Sequence, residues 1–189
     1  MRGRHLSAPN NPGLRPISAR IKKSLFDILK GVIPGAKFLD LFAGSGAVGL
    51  EALSRGAESA FFVEKNKVCR DAIETNLQRA GLAAKAGVWP GNALEDLSWI
   101  PFRAGISAFD VVFLGPPYKD EEKKPLAYSS PALAQVARAG ILSPRAVVVC
   151  QHHIKEDVTV PDGLVRIRRE KYGDTILEFF RPGRPQPGL

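Results

Sequence analysis

The stretch Leu39-Asp40-Leu41-Phe42-Ala43-Gly44-Ser45-Gly46-Ala47-Val48-Gly49 decides the fold. A short apolar run of strand type, Phe38–Phe42, ends in a glycine-rich turn, and a helix-forming run, Gly46–Arg55, opens on its glycines. In a strand–turn–helix unit the glycines let the backbone approach a ligand closely, while the helix N-terminus presents free amides. Gly44, Gly46 and Gly49 satisfy the dinucleotide spacing G-x-G-x-x-G, and Glu64 ends the next apolar run, where a carboxylate would hydrogen-bond ribose hydroxyls. A glycine turn with no ligand is the plain alternative, but the strand context and Glu64 weigh against it.

Outward from this turn, apolar strands and helices alternate. Ala60–Val63 is the second expected strand, followed by a helix over Asn66–Ala80 that Gly81 stops. Ala86–Trp89 is a weaker third strand, Phe109–Leu114 a fourth, Pro131–Ala139 a helix and Ala146–Cys150 a fifth strand. Two last strands, near Leu164–Glu170 and Thr175–Phe180, flank Tyr172-Gly173-Asp174, which has the composition of a hairpin turn. Ahead of the sheet, Ser18 is placed to cap a helix carrying Ile21, Leu25, Ile28 and Leu29 at helical spacing, ended by Gly31 and Pro34. Residues 7–16 are turn-forming and expected to be a loop. The pattern predicts an α/β fold: a Rossmann-like, seven-stranded, mostly parallel sheet covered on both faces and closed by a C-terminal antiparallel hairpin.

The 189 residues fit one such domain, residues 37–189, with a basic N-terminal extension over 1–36. Residues 1–37 hold eight Lys/Arg against the single acid Asp27, and the C-terminal stretch from Leu164 is also basic, around a nearly neutral middle. This skew suits a polyanionic partner, nucleic acid above all, with a solvated basic tail as the bland alternative. No apolar run reaches the roughly 18 residues a membrane span needs, and no apolar signal core follows Met1-Arg2-Gly3-Arg4-His5. Cys69 and Cys150 form no metal or redox spacing and are expected as small core residues in a reducing cytoplasm.

Two details bear on the ligand. Asp40 stands before the glycine turn, where a carboxylate would repel a pyrophosphate but suit a cationic aminoacyl group. The second is Asp110-Val-Val-Phe-Leu-Gly115-Pro116-Pro117-Tyr118, an apolar strand ending in a rigid turn with an aromatic ring, which suits a flat, amino-bearing base. Hydride transfer does not require it. Both details favour S-adenosylmethionine over NAD, and the crevice at the carboxyl ends of the strands would bring the two motifs together.

With these residues, the chain resembles the bacterial 16S ribosomal RNA guanine-N2 methyltransferases, a branch of the class I S-adenosylmethionine-dependent enzymes. The resemblance runs over Arg2-Gly-Arg4, Leu14-Arg15-Pro16, Ser24-Leu25-Phe26, Leu39–Arg55, Phe62-Val63-Glu64, Gly91-Asn92-Ala93, the Pro-Pro-Tyr turn and Arg169–Thr175. It implies a cofactor site of Asp40, Phe42, Ala43, Gly44, Ser45, Gly46, Glu64, Lys65, Asn92 and Ala93, with Glu64 on the ribose and Asn92 reading the adenine amine. It implies RNA contacts from Arg2, Arg4, Arg15, Arg20, Lys22 and Lys23, a catalytic turn of Gly115, Pro116, Pro117 and Tyr118, no metal, and a cytoplasmic monomer. Part of an N-terminal strand usual in the family is expected to fall outside the sequence.

The implied chemistry is methyl transfer to the exocyclic N2 of guanine in 16S ribosomal RNA. The pattern calls for Asp or Asn before the two prolines, to accept from the amine beside the Pro116 carbonyl, while Tyr118 stacks on the base. Position 115 is glycine. A second hypothesis is therefore an RNA-binding protein that keeps the cofactor fold but is catalytically impaired, and a third is an NAD-dependent oxidoreductase. His152 and His153, expected just past the fifth strand, have no partners that would complete a metal site and are assigned surface or supporting roles. Trp89 and Trp99 are expected in the core or a pocket wall. Arg166, Arg168 and Arg169 are placed to meet RNA or solvent, with Arg166 and Arg168 expected on one face of their strand.

Overall fold

The computed structural model describes residues 17–119, 122 and 124–183. Helix α1 spans Ala19–Ile28, capped by the Ser18 hydroxyl, which accepts from the Ile21 N–H at 3.3 Å. Then follow β1 (Lys37–Leu41), α2 (Ala47–Ser54), β2 (Ser59–Val63), α3 (Lys67–Ala80), β3 (Ala86–Trp89), α4 (Trp99–Ala104), β4 (Phe109–Leu114), α5 (Ser129–Arg138), β5 (Leu142–His153), β6 (Leu164–Tyr172) and β7 (Thr175–Pro182). The seven strands form one sheet in the order β3-β2-β1-β4-β5-β7-β6, parallel except where β7 pairs antiparallel with β5 and β6. This is the α/β architecture the sequence predicts.

Alternation of side chains divides the core into two layers. Phe38, Phe62, Val111, Phe113, Val149 and Phe179 pack with Leu25 and Phe26 of α1, Val48 and Leu53 of α2, and Ile73 and Leu77 of α3. The other face, with Leu39, Val63, Val112, Val148 and Phe180, packs on Ile100 of α4 and Leu133 and Val136 of α5. Helix α1 thus shares the core of the sheet. No helix among the described residues is long and apolar enough to cross a membrane.

Several expectations are corrected. Helix α4 is absent from the sequence reading because Pro101 breaks its pattern, yet Pro101 lies in the first turn, where no intrahelical N–H bond is needed. Strand β5 is longer than expected at both ends; it irregularly pairs Phe109 with Leu142 before the regular register from Val111–Val147, and Ser143 donates to Asp110 Oδ1 at 2.9 Å. His152 and His153 consequently lie inside the strand, and His152 is buried rather than at the surface. A bulge in β6 overturns the shared face of Arg166 and Arg168. Arg166 pairs with Phe180 and Arg168 with Phe179, so the extra residue Ile167 places the two arginines on opposite faces.

Candidate functional site

The carboxyl ends of β3, β2, β1 and β4 finish in register, with Trp89 opposite Val63, Val63 opposite Leu41, and Leu41 opposite Leu114. Strand order reverses between β1 and β4, which opens the crevice where such sheets receive ligands. The residues that follow these strands, Phe42, Glu64, Pro90 and Gly115, form its rim.

The turn after β1 is held by its own backbone. Gly46 N–H donates to the Ala43 carbonyl at 2.7 Å, and Ala43 N–H donates to Val63 at 3.3 Å. Gly44 and Gly46 have φ of 55° and 73°, and Phe42, at φ 60°, is the only non-glycine residue with positive φ among the described residues. Such a conformation in a bulky residue costs on the order of 1–3 kcal/mol and persists only where its surroundings impose it. Gly49 has a different reason to be glycine: a Cβ there would lie 2.3 Å from Phe62 Cε1. Its N–H donates to Asp40 Oδ2 at 3.0 Å. Asp40 is buried; burial pushes its carboxyl well above the ordinary value, the Gly49 N–H pulls it down, and the charge of Glu64 raises it further. Asp40 therefore anchors the start of α2 from beneath the turn.

Glu64 joins the second strand to the same turn. Its Oε2 accepts from Gly44 N–H at 2.8 Å and its Oε1 from Asn66 N–H at 2.8 Å, so the carboxylate is oriented by two amides. Arg70, which belongs to no motif, donates through Nη1 to the carbonyls of Glu64 and Lys65 at 2.9 and 2.7 Å. Ser45 is half-buried and the Lys65 side chain is exposed. Asn92, beyond β3, accepts from Leu94 N–H at 3.1 Å and donates to Glu95 Oε1 at 3.0 Å, a local turn that fixes its side chain, with Ala93 buried behind it.

The second motif meets the first through backbone: Gly115 N–H donates to the Leu41 carbonyl at 3.4 Å. Pro116 is buried and Pro117 and Tyr118 are half-buried. The Tyr118 ring stands edge-on to His153, with centroids 5.7 Å apart, and its hydroxyl donates to Thr175 Oγ1 at 3.4 Å. Thr175 pairs with both His153 and Tyr172, so the β6–β7 turn forms the wall behind Tyr118. The Tyr172 hydroxyl is hydrogen-bonded to Ser24 of α1. His153 and Thr175 come from segments far from Tyr118 in sequence and carry no motif, which is why sequence reasoning passed over their contact with it. Trp89 is core and stacks on Phe61 at 5.0 Å, with Trp99 edge-on to it.

The expected RNA-contacting residues divide. Arg2, Arg4 and Arg15 lie outside the described residues. On α1, Arg20 is exposed, Lys23 pairs with Asp27 at 2.8 Å and Lys22 approaches Glu51 at 3.6 Å. These three do not line the crevice contacts described above. Both cysteines are free and buried, and burial pushes the Cys150 thiol up to about 12. No cluster of three or more metal-ligating side chains occurs among the described residues.

A family model described as conserved hypothetical protein 95 matches residues 1–181. YlbH of Bacillus subtilis is 32% identical over 182 residues, 95% of this chain and 94% of that protein. Ribosomal RNA small subunit methyltransferase D of Haemophilus influenzae is 29% identical over 180 residues, 95% of this chain and 89% of that one. The chain belongs to this ribosomal RNA methyltransferase family. Its fold agrees: the solved structure of yhhF from Escherichia coli superposes with a TM-score of 0.74 at 30% identity, covering 96% of this chain and 93% of that one. Membership in a methyltransferase family removes the NAD-dependent oxidoreductase from consideration. The glycine spacing common to both classes could not do so, because it reports only a strand–turn–helix that accepts a nucleotide.

Proposed function

We propose that this methyltransferase moves a methyl group from S-adenosylmethionine to the exocyclic N2 of a guanine in 16S ribosomal RNA, acting in the cytoplasm on the small ribosomal subunit or its assembly intermediate. The observation that carries the reading is the junction of the two motifs at the reversal of strand order, where the Gly115 N–H meets the Leu41 carbonyl. A cofactor over the glycine turn would have its sulfonium beside the Pro-Pro-Tyr turn. Names among the relatives support ribosomal RNA of the small subunit as substrate.

In this scheme Glu64, already oriented by two amides, takes the ribose hydroxyls, and Asn92 with Ala93 meets the adenine. The strained Phe42-Ala43-Gly44 segment and Ser45-Gly46 line the aminoacyl end, with Asp40 holding the turn from below. Lys65 borders the ribose. Tyr118 stacks on the flipped guanine and the Pro116 carbonyl accepts from its amine. The guanine nitrogen attacks the methyl carbon as the carbon–sulfur bond breaks, and a proton leaves the nitrogen, giving S-adenosylhomocysteine. Proximity and alignment provide most of the acceleration. Residues 1–36, with Arg2, Arg4, Arg15, Arg20, Lys22 and Lys23, form the RNA-holding extension, and the enzyme works as a monomer.

Gly115 supports a second reading: an RNA-binding protein that retains the cofactor site but turns over poorly, because the amine has one acceptor where two would orient it. One experiment addresses both. Transfer of tritiated methyl from S-adenosylmethionine to unmodified small subunits, followed by nucleoside analysis, is expected to yield N2-methylguanosine. Cofactor binding with negligible transfer selects the second reading. Absence of cofactor binding, or methylation at another guanine atom, overturns the first.

A further inference from the structure

The bulge in β6 has an effect away from the crevice. By putting Ile167 out of register, it turns Arg166 and Arg169 toward the same carboxylate, Glu178 of β7. Arg166 Nε lies 3.1 Å from Glu178 Oε2 and Arg169 Nε lies 3.3 Å from Oε1. The Glu178 side chain is 2% exposed, whereas those of Arg166 and Arg169 are 37% and 52% exposed, so the carboxylate is interred and the guanidinium heads reach solvent. On the inner side His152 Nε2 stands 3.8 Å from Glu178 Oε1. Neither His152 Nε2 nor Glu178 Oε2 has an aligned hydrogen-bond partner, so the Arg166 contact with Glu178 is coulombic; Arg166 Nη2 reaches the Val158 carbonyl in a long bond of 3.4 Å, and its remaining N–H groups face another acceptor.

One guanidinium would balance one carboxylate. Two, on a strand bent to bring them together, leave a surplus positive charge with planar donors facing outward, the arrangement that takes phosphate oxygens. Bulges re-aim side chains in this way beside functional sites. Arg168, on the opposite face, differs: its Nε is hydrogen-bonded to Glu170 Oε1 at 2.9 Å in a one-to-one pair. Arg169 is three residues, about 10 Å along the strand, from Tyr172 in the wall behind Tyr118.

We propose that Arg166 and Arg169, held in common by Glu178, clamp a backbone phosphate of the RNA that flanks the target nucleotide. The clamp rests on the reading of RNA as substrate and adds a footing on the edge of the sheet opposite β3, separate from the N-terminal extension. It is tested with the full chain and a fluorescent small-subunit rRNA fragment, titrated from 50 to 200 mM KCl, for the wild type, Arg166→Gln, Arg169→Gln and Arg168→Gln. Loss of one phosphate contact lowers the salt slope by about 0.7–0.9 and weakens binding about fivefold near 0.1 M salt. That result is expected for Arg166→Gln and Arg169→Gln, with Arg168→Gln close to wild type. Because removing one arginine leaves Glu178 less compensated, Arg169→Gln is also made with Glu178→Gln, and unchanged S-adenosylmethionine binding verifies the fold. Wild-type slope in both clamp variants, or an equal loss in Arg168→Gln, overturns the clamp alone. Failure of the wild type to bind the fragment overturns the RNA reading and the clamp with it.

Discussion

Gly115→Asp adds the acceptor that the Pro-Pro-Tyr turn lacks, and the structure sets both its cost and its benefit. Gly115 is not among the glycines with positive φ, so its backbone admits an L-residue. A Cβ there would lie 2.9 Å from Phe113 Cε1, 3.4 Å from Cζ and 3.9 Å from Cδ1, and Phe113 is buried in the α1–α3 layer. At 2.9 Å the contact is closer than real Cβ atoms show, so the ring must shift. Overpacking costs about 1–3 kcal/mol, and the whole range applies because the atom in the way belongs to a buried core ring. For a domain of this size each kcal/mol lowers Tm by about 2–4 °C. The benefit is larger: by analogy with a preorganised oxyanion donor, a restored polar contact to the reacting group is worth about 2.7–4 kcal/mol, or 10²–10³ in kcat. Gly115→Ala separates the two, since it adds the Cβ without the acceptor. The assay is single-turnover methyl transfer from S-adenosylmethionine to unmodified small subunits, beside a thermal melt of each variant. Expected are a lowered Tm in both, a large rate gain with Asp only, and cofactor affinity unchanged. A folded Gly115→Asp variant with wild-type kcat refutes the argument that a side-chain acceptor is missing.

Three further outcomes follow from the same geometry. Gly49→Ala would drive a Cβ to within 2.3 Å of Phe62 Cε1, beneath the cofactor turn; the expected loss is about 3 kcal/mol, a Tm drop of about 6–12 °C, and a wild-type melt would show that α2 shifts freely. Asp40→Asn keeps an acceptor for Gly49 N–H but does not ionise. Because burial raises the Asp40 carboxyl, the folded chain holds that proton to higher pH than the unfolded chain, and wild-type stability declines as pH rises from about 3.8 through the folded value. The variant's advantage in Tm should be absent at pH 3.5 and grow toward neutrality, and a constant difference across pH would refute it. Tyr118→Ala should lose about 1–3 kcal/mol of base stacking, read as a raised KM for RNA, whereas Tyr118→Phe should keep the stacking because it keeps the ring. Equal damage in both variants would move the role from the ring to the hydroxyl.

The glycine turn proposed to receive the cofactor was legible in the sequence as structure because it is made of backbone. Gly44, Gly46 and Gly49 are glycine for reasons that spacing reveals: two left-handed turns and one contact too close for a Cβ. Glu64 sits one residue past a strand whose length the apolar pattern fixes. The wall behind Tyr118 was not legible, because His153 and Thr175 are brought to it by the pairing of β5 with β7, which no local pattern encodes. The arginine pair on Glu178 failed for a sharper reason. Strict alternation assigns Arg166 and Arg168 to one face, and a single bulged residue reverses the assignment. His152 was expected just past the fifth strand, yet β5 continues through it against a buried carboxylate.

The separation of these two halves bears on what Gly115 can have changed. The glycine turn is supported by Asp40 on Gly49, Glu64 on Gly44 and the Val63 carbonyl on Ala43, none of which involves residues after β4. The contact that joins the turns comes from the Gly115 backbone, which any residue but proline would provide. A side chain at 115 can therefore be gained or lost with little effect on the fold of the cofactor turn. Under the proposed function, loss of turnover with retention of cofactor and RNA binding is accessible in this architecture by one substitution, and the same independence lets Gly115→Asp test it at the cost of the Phe113 contact alone.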